Sequence, residues 1–224
     1  MGSTRLPGKS LIDIAGQPLL AHIIDRVRAS VCVQKIIVAT TTFPEDEVIG
    51  LLARQKNVDC YRGDPNDVLD RYYQAACQAK TEVIVRITAD DPFKDPDVID
   101  LVTGHLLADP ALDYASNTIE PTFPEGLDVE SFRFSALERA WKEARLLSER
   151  EHVTPYLWKH SERFCLINVC HSSDLSKLRW TLDYEEDLQF TREVYARLYR
   201  GRVFKMEEIL HLFKRGASSG IDQQ

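Results

Sequence analysis

The segment Gly2-Ser3-Thr4-Arg5-Leu6-Pro7-Gly8-Lys9 concentrates the groups that hold a polyphosphate. Its glycines allow close backbone approach to an anion and φ values that other residues avoid. Ser3 and Thr4 add hydroxyl donors, while Arg5 and Lys9 add fixed positive charge for charge-assisted hydrogen bonds. A nucleotide is the ligand that such a set suits. Gly8-Lys9-Ser10 also reproduces the end of a G-x-x-x-x-G-K-[ST] loop, but Gly2 stands one residue too far from Gly8. Pro7 removes an amide that such a cradle would use, and Leu11 to Pro18 puts a short apolar stretch and a Gly turn where its helix should begin. A P-loop ATPase is therefore set aside.

Two acidic stations complement the loop: Asp90-Asp91 behind the strongest strand pattern, and Asp183 in Arg179-Trp180-Thr181-Leu182-Asp183. Carboxylates at strand ends suit a hard cation such as Mg²⁺, which fills its other positions with water and substrate phosphates. Each alone has an ordinary explanation, because Asp before Pro is a common turn residue and Asp183 suits the N-cap of a following helix. Together with the cationic loop they point to chemistry on a metal-bound nucleotide. Glu186 and Asp187 read as the solvated first turn of that helix.

The rest of the chain must position these groups. Its 224 residues suit one α/β domain, expected over 1–215 with a flexible tail over 216–224. A net charge of −7 argues against a general nucleic-acid binder, although it leaves room for a local anion site. No apolar run reaches membrane-spanning length and no signal-peptide pattern opens the chain, so a cytoplasmic protein is expected. Cys32, Cys60, Cys77, Cys165 and Cys170 show no C-x-x-C pair and are expected to be reduced and mostly buried.

Apolar residues at helical spacing from Leu19 to Val27 precede a buried strand over 35–40. A helix opening at Pro44, a weaker strand over 58–61 and a helix over 67–80 follow, then the strand Glu82 to Thr88 and a helix from Pro96. This alternation implies parallel βαβ units, whose ligands collect at the carboxyl ends of the strands. Beyond Asn117 the rhythm changes. Ser135 with Glu138 and Ser148 with Glu151 match capping boxes. A strand over 164–169 and helices over 185–199 and 206–214 complete the reading.

Six stretches in this order resemble the spore-coat polysaccharide branch of the cytidylyltransferases, related to the synthetases that activate sialic acid and 3-deoxy-octulosonate. They are Gly2 to Lys9, Arg62-Gly63-Asp64 through Arg71, Thr88 to Pro92, Glu125 to Glu130, Arg150 to Pro155, and Thr181-Leu182-Asp183. The resemblance implies a Rossmann-like nucleotidyltransferase fold with a mostly parallel central sheet flanked by helices. Relatives carry an apolar strand before the phosphate loop; the expectation here is a sheet without that first strand. It further implies transfer of CMP from CTP to an acidic sugar, with release of pyrophosphate, for cell-surface polysaccharide. Gly2, Ser3, Thr4, Arg5, Lys9 and Arg71 would hold the nucleotide. Lys9, Arg5, Asp90 and Asp183 would carry the reaction, and Asp90 and Asp183 would hold Mg²⁺. Asn117, Asp128, Glu130, Arg150, Glu151 and His152 would line the acceptor pocket, and a homodimer would form through the region after Asn117. Two readings stand beside this one: an inactive homologue acting as an assembly partner, and a GT-A-like glycosyltransferase, which would call for Asp-x-Asp rather than adjacent aspartates.

Overall fold

The structure, a computed structural model, describes residues 6–217. Ala15 and Gly16, at φ 52° and 84°, turn a short hairpin between β1 (Asp13–Ile14) and β2 (Gln17–Pro18). Helix α1 (Leu19–Arg28) follows at once and buries Leu19, Leu20, Ile23, Ile24 and Val27, as their spacing requires. β3 (Ile37–Thr41), α2 (Glu47–Gln55) and β4 (Asp59–Gly63) form a parallel unit in which Ile37 faces Asp59 and Thr41 faces Gly63. Helix α3 (Val68–Ala79) is capped by Asp67, whose Oδ1 accepts from the Asp70 amide at 2.9 Å.

Next come β5 (Val83–Arg86), α4 (Pro96–Ala108), β6 (Tyr114–Ser116), β7 (Glu130–Arg133) and three helices, α5 (Phe134–Glu143), α6 (Leu147–His152) and α7 (Pro155–Lys159). β8 (Leu166–Asn168), α8 (Glu185–Leu198) and α9 (Met206–Ala217) finish the described chain, so the last helix runs past the expected boundary at 215. The α/β class stands, while the pairing is mixed. Strands order as β5-β7-β6-β8, with β6 and β8 parallel and β7 antiparallel to both neighbours. β3 and β4 pair as a separate sheet, and among the described residues β3 and β5 are each paired along one edge. The long return from β6 through residues 117–129 brings β7 back in reverse, which periodicity within each strand does not encode.

Alternation along β6 shows why both faces of the four-stranded sheet are covered. Tyr114 packs with Leu69, Phe132, Leu137 and Leu157, whereas Ala115 packs with Ile99, Val102, Val129 and Val194. Buried large apolar side chains at about 1.5–3 kcal/mol each hold the layers together. The expected capping boxes do not form, because Ser135 and Ser148 lie inside α5 and α6. Glu149 does the capping instead, accepting from the Leu146 amide at 3.3 Å. The cysteines are free, but Cys77, Cys165 and Cys170 are exposed rather than buried, Cys77 on α3 and the other two in the segments flanking β8. No helix among the described residues is long and apolar enough to cross a membrane.

Candidate functional site

Lys9 opens a single 3₁₀ turn behind Gly8, whose φ of 69° reverses the chain. The turn aims the Lys9 side chain at the two acidic stations. Its Nζ donates to Asp90 Oδ2 at 2.8 Å and to Asp183 Oδ1 at 3.1 Å, and lies 3.4 Å from the Leu182 carbonyl. Burial alone would lower the Lys9 pKa, but Asp90 and Asp183 outweigh it and hold the ammonium above its ordinary value. Desolvation would raise the Asp90 carboxyl; the Lys9 bond and charge, helped by Thr88 and Lys94, keep it below the usual carboxylate range. Two carboxylates from distant parts of the sequence thus share one cation position.

Neighbouring loops hold this station rigid. The Leu182 amide donates to the Asp90 carbonyl at 3.0 Å, and the Glu125 amide to the Leu178 carbonyl at 2.9 Å. Gly126, at φ 100°, lies so close to Trp180 that a Cβ there would come within 2.9 Å of its carbonyl carbon. Asp187, expected on a solvated turn, instead accepts from the Asp183 and Tyr184 amides at 2.8 Å each and pairs with Arg179. Asp91 turns away from Lys9, and its Oδ2 lies 2.7 Å from fully buried Lys94 and accepts from Thr88 at 2.5 Å. Lys94 also donates to the Asp128 carbonyl at 2.5 Å, tying the loop of Asp90 and Asp91 to the next feature.

That feature is a cavity of about 280 Å³ lined by Arg86, Thr88, Thr118, Asp128, Glu130, His152, Thr154, Pro155 and Trp158. Glu130 is its anchor. Its Oε1 accepts from Tyr114 at 2.7 Å and Thr154 at 2.5 Å, and its Oε2 meets Arg86. Val153 links His152 to Thr154 at φ 73° and ψ −57°, and the Thr154 amide donates to the His152 carbonyl at 2.9 Å. This is a positive-φ γ-turn, strained for a β-branched residue and held by the burial of Val153 and the Thr154–Glu130 bond.

The structure gathers Lys9, Asp90 and Asp183 at one station, and Asp128, Glu130 and His152 at the adjoining cavity. Other expected site residues stand elsewhere. Asn117 clamps the 127–129 segment, donating to the Leu127 carbonyl at 2.9 Å and accepting from the Val129 amide at 2.8 Å. Arg150 ties α6 to the cap of α3 through Asp67 and to Trp141, and Glu151 is exposed outside the cavity lining. Arg71 turns back on the carbonyls of Asp64 and Pro65. Gly2, Ser3, Thr4 and Arg5 lie outside the described residues. Sequence reasoning missed Arg86, Lys94, Thr154, Trp158, Arg179 and Asp187; of these, Arg86 inside the apolar run Val83 to Ile87 carried a readable signal.

No group of three or more His, Cys, Asp or Glu among the described residues is arranged to hold a metal unaided. A pair of carboxylates already drawn to one cation is nonetheless a donor set that Mg²⁺ accepts, with substrate oxygens completing its shell. Moving a nucleotidyl group requires triphosphate, cation and acceptor to be held side by side, and the scaffold is that of a nucleotidyltransferase. Residues 1–209 match the cytidylyltransferase family, and the chain belongs to it. It is 36% identical over 195 residues to the uncharacterized protein MJ1063 of Methanocaldococcus jannaschii, covering 86% of this chain and 79% of that one. It is 27% identical to the spore coat polysaccharide biosynthesis protein SpsF of Bacillus subtilis, covering 100% of this chain and 95% of that one. A cytidylyltransferase structure from Leptospira borgpetersenii superposes with a TM-score of 0.93 at 30% identity, covering 100% of this chain and 94% of that one.

Proposed function

We propose that the chain transfers CMP from CTP to a hydroxyl of a sugar acceptor, releasing pyrophosphate, in the making of a surface polysaccharide. The observation that carries this reading is the Lys9 ammonium between Asp90 and Asp183, joined through Asp91 and Lys94 to the cavity at Asp128. Similarity to SpsF supports the polysaccharide role. The acceptor oxygen forms a bond to the α-phosphorus as the bond to the β-phosphate oxygen breaks and pyrophosphate leaves with that electron pair. Positioning and electrostatic stabilisation do most of such work.

In this reading Lys9, with Gly2, Ser3, Thr4 and Arg5, neutralises the triphosphate, and Arg71 steadies the loop beside the nucleotide. Asp90 and Asp183 are the residues that would hold Mg²⁺, which supplies charge to the α-phosphoryl oxygens and the leaving group when bound. Lys9 then exchanges its carboxylate partners for phosphate oxygens. The cavity holds the acceptor, with Glu130 fixing Arg86 and Thr154 in its wall. We place the enzyme in the cytoplasm as a homodimer through residues after Asn117, where Ile119 is exposed; sedimentation at working concentration checks the dimer.

The deciding assay incubates the folded protein with each nucleoside triphosphate, Mg²⁺ and a panel of sugars, and follows pyrophosphate. Release dependent on both CTP and an acceptor is expected. Absence of acceptor-dependent release with every triphosphate overturns the reading.

A further inference from the structure

Lys9 is asked to serve two partners. Its Nζ faces three oxygens, Asp90 Oδ2 at 2.8 Å, Asp183 Oδ1 at 3.1 Å and the Leu182 carbonyl at 3.4 Å. The ammonium therefore stands on the two carboxylates that would hold Mg²⁺, while the proposed reaction needs it on the triphosphate. One side chain cannot do both at once. A divalent ion brought to Asp90 and Asp183 with Lys9 still in place would meet a positive charge at contact distance, which Coulomb repulsion opposes in a partly buried site.

The contact is built to be exchanged. The carboxylates do not depend on Lys9 for their placement: the Leu182 amide holds the Asp90 carbonyl at 3.0 Å, Asp187 accepts from the Asp183 amide at 2.8 Å, and Arg179 donates to Asp183 Oδ2 at 3.2 Å. Lys9 sits on one 3₁₀ turn, Lys9–Leu11, that buries no residue and is closed by the Leu11 amide on the Gly8 carbonyl at 2.8 Å. Its flexible four-carbon stem can swing without unwinding that turn. The neighbouring pair of Lys94 and Asp91 shows the contrast. Those side chains are 0% and 6% exposed, a sealed brace, whereas Lys9 is 15%, Asp90 37% and Asp183 18% exposed, so ions reach them.

We propose that Lys9 closes the metal station in the nucleotide-free protein and opens it when a triphosphate draws the ammonium away, so that the metal is admitted with the nucleotide and not before it. The proposal rests on the cytidylyl-transfer reading for the identity of the metal residues and of the nucleotide. Sparse coordination offers a rival account of weak metal binding, since no third Asp, Glu, His or Cys among the described residues joins the pair. The two accounts part at Lys9. Removing its charge opens a closed station but does nothing for a merely sparse one.

The test titrates Mn²⁺ into the full chain without nucleotide and follows the loss of the free-ion EPR signal. Lys9→Met should bind Mn²⁺ roughly 10- to 100-fold more tightly than the unsubstituted protein, the scale of a charge-assisted bond that no longer has to be displaced. Lys9→Gln, polar but uncharged, should gain likewise, and the Lys9→Met, Asp90→Asn double variant should lose the gain. CTP should raise the Mn²⁺ affinity of the unsubstituted protein by a larger factor than that of Lys9→Met, because part of the coupling runs through the ammonium. Equal affinities in the unsubstituted protein and both neutral variants, or a gain that survives Asp90→Asn, overturn the proposal and leave CMP transfer standing. A CTP effect as large in Lys9→Met as in the unsubstituted protein overturns it too, since the nucleotide would then not act through Lys9. Should the gain and the coupling appear while no triphosphate supports pyrophosphate release, the transfer reading falls and Lys9 keeps its place as the gate of a nucleotide-linked cation site.

Discussion

Lys9 bridges two carboxylates that the chain delivers from separate loops, at 2.8 Å and 3.1 Å. If that ammonium moves to the triphosphate when CTP binds, Lys9→Ala should lower kcat by about 10²–10³, the scale of losing one preorganised donor. Steady-state pyrophosphate release measures it, and an unchanged kcat would remove Lys9 from the machinery. Glu130 makes a different prediction. It accepts from Arg86, Tyr114 and Thr154 together, so Glu130→Ala leaves a largely buried guanidinium without its counter-charge. A stability loss of about 3 kcal/mol is expected in denaturant unfolding. Sequence alone flagged Glu130 but could not separate an anchor from a ligand contact, since that depends on three donors drawn from β5, β6 and the turn before α7.

At the scale of elements, the site depends on how loops after strands are sewn to one another. Gly126 permits the close approach of its loop to Trp180, and at φ 100° an alanine there is strained whatever space it finds. Gly126→Ala should destabilise the fold by about 1–3 kcal/mol and reduce kcat as well, because the displaced segment carries Asp183; thermal melts and turnover check the two effects together. Arg150 behaves oppositely. Its bonds run to Asp67 at 3.0 Å and to the Trp141 carbonyl at 2.8 Å, fastening α6 to α3. Arg150→Met should cost about 1.5–3 kcal/mol of stability while leaving KM for CTP unchanged. A raised KM with a normal melting temperature would return Arg150 to the binding site. Periodicity located α3 and α6 as elements, yet the partner of an arginine on a helix is a matter of packing.

For the whole molecule, His22 reports on the integrity of the larger core. It is buried on α1, and its Nε2 donates to the Ile14 carbonyl at 2.6 Å. Burial, aided by the Arg26 charge and opposed by the Ile14 bond, holds its pKa below 6.5. The unfolded chain therefore binds a proton near pH 6.5 that the folded chain refuses, so stability falls as pH drops through 6.5 toward the folded value. The slope from this group is at most about 1.4 kcal/mol per pH unit, and His22→Gln should flatten the decline in melting temperature between about pH 7 and pH 5.5. The same sequence that hides His22 in an ordinary amphipathic helix shows the helix itself plainly. Apolar spacing, the helix openings at Asp67 and Pro96 and the strand-end acids were legible because each is set by neighbours along the chain. The family resemblance was legible too, because its motifs are short and ordered. Tertiary structure alone decided that β7 runs against β5, that Asp91 serves Lys94 while Asp90 faces Lys9, and that Arg86 is spent on Glu130. Those outcomes turn on which distant groups meet once water is excluded, and local propensity does not set such pairings.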